Sequence, residues 1–441
     1  MDAILIKSGR VMDPASGTDG PVDILVVGEI IAAVGKVNEG DARNKHGVTG
    51  QIETLDASHL VVAPGLIDIR CHVGEPGQDS DDTIAHAAEV AIMGGFTTIC
   101  SMPDTSPAND SVASATFVRR QSEQAGFADV HPVCALTRGR AGEELSEIGQ
   151  LIEAGAIAFS DEQRENDTPA GILRAFKYAA MFDVPVMESS IDTSIAGGVM
   201  NAGFESALAG MPGIPAVAEE LAIARACMFA RETGCHYHAP KLSAEGSVRV
   251  VRHSQKLGIK VTADISAHQL TRTDADVRRT IDTNFKVSPP FRTQDDINSL
   301  IRGMKKGVIT CIASGHRAVQ PQNKELEFGR APEGAVGLET ALGVALTKLH
   351  HTGEMTLPQV LALFTTNPAQ LLRFKDRGQI TAGQRADLCL IDPNQEWQVT
   401  AECLTSHTKN SPLLGEKLKG KTKYTITRGR VFNVEALNAI S

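Results

Sequence analysis

The sequence has no surplus of positive charge. Lys and Arg number 43 against 53 Asp and Glu, for a formal net charge of −10 and a pI near 5.7. Nucleic acid and anionic membrane surfaces both call for a basic face, so neither is expected as a main partner. Paired cysteines are missing as well. The eight cysteines are scattered with no CxxC, and most sit inside apolar runs such as Thr98-Ile99-Cys100 and Leu388-Cys389-Leu390. That pattern predicts buried free thiols in a reducing compartment. The opening residues Met1-Asp2-Ala3-Ile4-Leu5-Ile6-Lys7 lack a basic leader with a long apolar core, and no window is apolar for the length of a bilayer. A cytoplasmic location is the expectation. Low-complexity linkers and internal repeats are also absent.

Hydrophobic residues make up 42% of 441, enough for a large packed core. Residues 1–60 read as short β-rich runs, Ala3 to Ile6, Asp23 to Val27 and Ile30 to Val34, split by turn residues. The apolar run from Leu60 to Ile69 reads as one buried strand. From about Val61, eight short apolar strands alternate with amphipathic helical stretches. The strands span residues 66–69, at the end of that run, then 96–101, 129–136, 156–160, 184–187, 235–239, 260–265 and 308–313. Gly94-Gly95, Gly155, Gly234, Gly258 and Gly307 fall where helices should stop. Eight βα units predict an α/β fold of the (β/α)8 barrel type, spanning 61–377. Strands return at Asp387 to Ile391, Tyr424 to Arg428 and Arg430 to Asn433. Residues 1–60 and 378–441 are therefore expected to form one composite β domain.

In such a barrel, chemistry sits at the C-terminal tips of the strands. Those tips hold Arg70-Cys71-His72, Ser160-Asp161-Glu162, Met187-Glu188-Ser189, His236-Tyr237-His238-Ala239-Pro240-Lys241 and Ser314-Gly315-His316-Arg317. With Pro64-Gly65-Leu66-Ile67-Asp68, several further runs carry a family likeness. They are Asp282 through Arg292, Gly337-Leu338-Glu339-Thr340, Asn367-Pro368-Ala369-Gln370-Leu371-Leu372, Ala386-Asp387-Leu388 and Lys409-Asn410-Ser411-Pro412. Across essentially the whole chain the layout resembles the dihydroorotase family of the amidohydrolase superfamily. It is most similar to members associated with aspartate carbamoyltransferase. The resemblance implies the barrel with its composite β domain, and the reversible cyclisation of N-carbamoyl-L-aspartate to dihydroorotate. It also implies one or two zinc ions that activate water.

Matched position by position, the resemblance implies a ligand set that this chain does not keep. The His-x-His after strand one is Arg70-Cys71-His72, and the carboxylate after strand four is Asp161, with Glu162 beside it. The histidine after strand five is Glu188, or Met187 if the register slips, and the one after strand six is Lys241. The strand-eight aspartate, ligand and general base, is Gly315. Guanidinium and ammonium groups cannot bind zinc, so no intact catalytic set and no metal are expected, with His72 and Asp161 as the residual candidates. The family's substrate-gripping arginine is Gly74, and its two amide positions are Asp104 and Ser288. Arg292, His316 and Arg317 remain as candidates for holding a substrate.

The replacements suggest a metal-free cluster in which the cations Arg70 and Lys241 pair with the anions Asp161 and Glu188. His236, His238 and His268 read as packed or hydrogen-bonded histidines, and Cys71 as an inert buried thiol rather than a low-pKa nucleophile. Three readings of function follow. The first is a non-catalytic member of the pyrimidine pathway that serves as structural or regulatory partner of aspartate carbamoyltransferase, as the resemblance implies, along with homo-oligomer formation. The second is an active cyclic-amide hydrolase on an atypical site of His72, Asp161, Glu188 and His316. The third is a dicarboxylate-binding protein using Arg70, Lys241, Arg317 and Arg292.

Overall fold

The apolar run at 60–69 is divided between two sheets. In the computed structural model, which describes residues 1–162 and 168–438, Val61–Pro64 belongs to the β domain and Leu66–His72 is the first barrel strand. Gly65 makes the turn between them. A Cβ there would stand 2.2 Å from the Thr97 hydroxyl, so the two sheets can meet this closely only at glycine. The single strand read from the sequence, and a domain boundary at 61, are corrected accordingly: the crossover falls at Gly65.

The barrel strands follow as Phe96–Ser101, Asp129–Cys134, Ala158–Phe159, Tyr237–Ala239, Val261–Ser266 and Cys311–Ala313, paired in parallel. The fifth position is reduced to Val186, which bridges Phe159 on one side and Tyr237 on the other. The ring closes where His316 and Arg317 pair with Cys71 and His72. This is the (β/α)8 barrel with a β domain. Inside, Ile67, Ile69, Cys100, Val133, Ala158 and Cys311 fill the barrel, and Leu371 and Leu372 close its floor.

The β domain comprises two sheets. The four-stranded one orders Ile30–Gly35, Asp23–Val27, Ala3–Lys7 and Ile52–Asp56. The six-stranded one places Val61–Pro64 between Leu388–Gln398 and Arg10–Asp13, so segments from both chain ends share one sheet. Their alternating apolar residues, among them Ile6, Val11, Ile24, Leu388 and Ile426, meet in a core of their own. Among the described residues, no helix is long and apolar enough to cross a membrane.

One buried ion cluster fastens the two parts together. Asp129, at the start of the third barrel strand, takes Arg377 at 3.2 Å and also Arg385 and Arg428 from the C-terminal segment. Burial alone would raise the Asp129 carboxyl, but the three guanidiniums hold it well below the usual carboxylate range. Asp129→Asn should leave these cations uncompensated. Because the Arg428 side chain is 33% exposed, the expected loss in urea denaturation is roughly 2 kcal/mol, below the value for a fully enclosed pair. An unchanged midpoint would show that the cluster adds nothing to the joint between barrel and β domain.

Candidate functional site

The first barrel strand changes phase before it reaches the mouth. Its pairing with Phe96–Ser101 shifts between Asp68 and Cys71, so alternation restarts at the tip. Asp68 holds the irregularity in place, accepting from the Ser314 amide at 2.9 Å, from the Ser314 hydroxyl, and from the Arg70 amide at 3.3 Å. Burial pushes the Asp68 carboxyl up to about 6. Past it, Arg70 and His72 are part of one mouth cluster while Cys71 packs into the outer core. Burial drives the Cys71 thiol well above its ordinary value, so it is not a nucleophile.

The charge cluster exists, with different anions from those expected. Arg70, 1% exposed, forms an ion pair with Asp264 and lies 3.9 Å from Glu162. Lys241 reaches Glu162 at 2.9 Å, and its own amide donates to Asp264 at 2.9 Å. His238 completes Asp264 at 2.8 Å and holds Thr262 through its other nitrogen. On the outer side, Nδ1 of His72 meets Asp104 at 2.8 Å, Nε2 lies 3.8 Å from Glu162, and Arg317 stands 3.4 Å from Asp104. Three cations and three carboxylates thus alternate across the mouth.

Their titration follows from this arrangement. Burial would raise the Glu162 carboxyl, but Lys241, His72 and Arg70 bring it down to about 2. Burial would likewise raise Asp264, which Arg70 and His238 lower to about 2. Asp104, also buried, is held well below the carboxylate range by His72 and Arg317. Glu162 and Lys241 both have positive φ, 50° and 53°, a conformation that costs a side-chain-bearing residue energy and is sustained here by the pairing.

Several expected site residues lie elsewhere. Asp161 turns sideways into the neighbouring loop, accepting from the Thr137 amide at 3.0 Å and its hydroxyl at 2.6 Å. Glu188 is buried, and the ion pairs of Arg70 and Lys241 run to Glu162 and Asp264 instead. Arg292 is 1% exposed and braces the wall, bonding Asn201 and the Ile214 carbonyl at 2.8 Å and approaching Glu219 at 3.7 Å. His316 is fully buried between Asp82, at 3.3 Å, and the Gly337 amide. Neither Arg292 nor His316 is a mouth residue; Arg317 is, alongside Ser288.

The two glycines that the resemblance sets at functional positions, Gly74 and Gly315, are not holes. A Cβ on Gly74 would stand 2.1 Å from the Gln78 carbonyl oxygen, and one on Gly315 would stand 2.6 Å from the His268 ring. The loop after strand one fills the first position, and His268 fills the second. Burial first, and Lys241 second, push His268 down to about 4, so it is a neutral ring in a dry wall. The cavity over the cluster measures about 30 Å³, with a further recess of about 210 Å³ outside it.

Asp264 and the role of Glu162 escaped the sequence reading, whereas His238, read as a packed or hydrogen-bonded histidine, bonds Thr262 and Asp264. One signal was available for Asp264: a carboxylate inside the apolar strand Val261–Ser266 must find a cation or a proton. Nothing local announced which cation.

Zinc, implied by the resemblance, does not fit these residues. Two of the positions are fixed cations, Arg70 and Lys241; Asp264 is taken by Arg70 and His238, and Nδ1 of His72 by Asp104. Among the described residues, no three His, Cys, Asp or Glu side chains converge as a metal site.

Comparison with known proteins agrees with the fold and the motifs. Residues 59–247 match the dihydro-orotase-like family model, and residues 331–432 match an amidohydrolase family model. A protein named dihydroorotase from Geobacter sp. (strain M21) is 39% identical over 431 residues, covering 97% of this chain and 98% of that one. Another so named, from Acetivibrio thermocellus, is 38% identical over 429 residues, with the same coverage of each chain. Among solved structures, the L-hydantoinase (dihydropyrimidinase) of Arthrobacter aurescens superposes with a TM-score of 0.84 at 24% identity, covering 97% of this chain and 95% of that one. The dihydropyrimidinase of Brevibacillus agri NCHU1002 gives 0.83 at 18%, covering 97% and 94%. At these identities the superpositions speak for the fold.

Proposed function

Because this chain belongs to the dihydroorotase family of the amidohydrolase superfamily, we propose that it is a member whose hydrolytic site has become structural. Its role would then be that of a structural or regulatory partner of aspartate carbamoyltransferase in pyrimidine biosynthesis. The observation that carries the first half is Glu162 held between Arg70 and Lys241. A site that polarises a carbonyl and activates water needs open positions, neutral imidazoles and a free base. Here Arg70 and Lys241 are engaged by carboxylates and position 315 has no side chain. The second half rests on the family resemblance and on a fold kept intact around the altered site.

The rival reading, an active cyclic-amide hydrolase, draws on the names of the relatives. It would have to place its chemistry on His72 and Glu162, the imidazole and carboxylate that meet at 3.8 Å. Two measurements separate the readings. Dihydroorotate hydrolysis by the purified chain, with and without added zinc, should stay at the uncatalysed rate. Turnover proportional to bound zinc would establish the hydrolase. Co-expression with aspartate carbamoyltransferase should yield a complex that survives gel filtration. A transferase that never co-elutes and is fully active alone would end the partner reading.

A further inference from the structure

The recess of about 210 Å³ outside the mouth cluster carries more negative charge in its walls than the cluster accounts for. Asp81, Asp82, Asp104 and Glu333 wall it, with His72 and Arg317. Asp104 is answered, by His72 at 2.8 Å and by Arg317 at 3.4 Å. The other three carboxylates have no lysine or arginine in ion-pair contact among the described residues. Glu333 acts at a distance on Lys286 and Lys324, but both ammonium groups are spent elsewhere. Lys324 donates to the carbonyls of Thr283 and Pro332 at 3.0 Å, and Lys286 to that of Gly329 at 2.9 Å.

Asp82 is the sharpest case, at 4% exposed. Its Oδ2 meets Nε2 of His316 at 3.3 Å. Nδ1 of that ring accepts from the Gly337 amide at 3.3 Å, so the single ring proton sits on Nε2 and the ring brings Asp82 no positive charge. Oδ1 of Asp82 has no hydrogen-bond partner among the described residues. A buried carboxylate with an unmet oxygen and no counter-charge is costly, and the recess it walls is where a donor can reach it. The neighbouring Asp81 carries the same surplus. Burial raises its carboxyl, the Gln320 amide and Arg317 lower it, and the Asp82 charge raises it again, for a net rise.

We propose that this recess binds a small alkylammonium ion, its ammonium on Asp82 and its methylenes against Val73, Ala318 and Val319. An ammonium supplies the missing charge together with three donors. The apolar part of the wall suits a short carbon chain, as in most small-molecule sites. A bare metal ion fits less well, because among the described residues no three His, Cys, Asp or Glu side chains converge on one point. The inference does not depend on the proposed transferase partner. It is also separate from the family reaction, since neither N-carbamoyl-L-aspartate nor dihydroorotate carries an ammonium group.

Isothermal titration of the full chain with n-butylammonium chloride tests it, against n-butanol and sodium butyrate at equal ionic strength. Butylammonium should bind one to one, at least about tenfold more tightly than either control, as a charge-assisted hydrogen bond implies. Asp82→Asn keeps the shape and removes the charge, and should raise Kd by about 10- to 100-fold. Glu333→Gln, at a partly exposed position, should raise it about threefold, as a more distant charge does. The idea is overturned if butylammonium gives no saturable binding up to about 100-fold above the millimolar range of weak ligands. It is equally overturned if n-butanol binds as well, or if butyrate binds better, since Arg317 and His72 would then govern the recess. An unchanged Kd in Asp82→Asn also rejects it. Should that variant not melt like the wild type, Glu333→Gln decides alone, and an unchanged Kd there rejects the site.

Discussion

Glu162→Gln is expected to destabilise the protein by roughly 3–5 kcal/mol at neutral pH, the range for removing one member of a buried ion pair. Lys241 and Arg70 are 14% and 1% exposed, so losing their carboxylate strands positive charge away from water. The loss should shrink when the cations go too: Glu162→Gln combined with Lys241→Met should recover part of it, because no charge is then left unpaired on that side. Urea denaturation of the single and double variants measures both. A single variant within about 1 kcal/mol of wild type would show that the cluster contributes little to stability.

The same pairs set the response to acid. In the folded chain Glu162 and Asp264 titrate at about 2, below the ordinary carboxylate values. The unfolded chain therefore binds their protons first as pH falls. Their contribution is fully present above the ordinary values and is lost as pH drops from about 4.5 towards 2. Glu162→Gln should flatten that acid limb, with the share of Asp264 remaining. Chemical denaturation as a function of pH gives the slope directly.

Gly315→Asp, which supplies the aspartate that the family resemblance implies, should cost about 2–4 kcal/mol and bring no zinc-dependent turnover. The backbone there has φ +68°, which disfavours any side chain, and the new Cβ would stand 2.6 Å from His268 and 2.8 Å from the Ser266 side chain. Two separate penalties add, one conformational and one steric. Only the steric one depends on His268, so in a His268→Ala background the cost of Gly315→Asp should fall by at least about 1 kcal/mol. Adding Arg70→His and Lys241→His in the presence of His268 should still give no hydrolysis, because the aspartate has no room to reach a metal. Thermal or urea stability of the four-member cycle, with zinc content and dihydroorotate turnover of each protein, decides this. A stable, zinc-loaded, active Gly315→Asp protein would mean that the position had stayed open.

A good part of the molecule was legible in order along the chain. Strand and helix periods, with glycines at the helix ends, carry the barrel, because the 2.0 and 3.6 repeats respond to which face each element must bury. The tips of the strands were equally plain, and with them the cations Arg70 and Lys241 where the resemblance implies imidazoles. The phase shift at Asp68 to Cys71 was not, since it depends on an aspartate clipped to Ser314 across the ring closure.

What the sequence determined by itself, then, is the fold, the family and the residue types at the strand tips, because each is a property of local pattern and residue type. Which carboxylate meets which cation was decided only in three dimensions. Asp161 and Glu162 are neighbours in the chain, yet the backbone turn at Glu162 sends one to Thr137 and the other to Lys241. Asp264 reaches Arg70 across 194 positions. Buried charges choose partners by distance and desolvation, and those exist only once the barrel has closed.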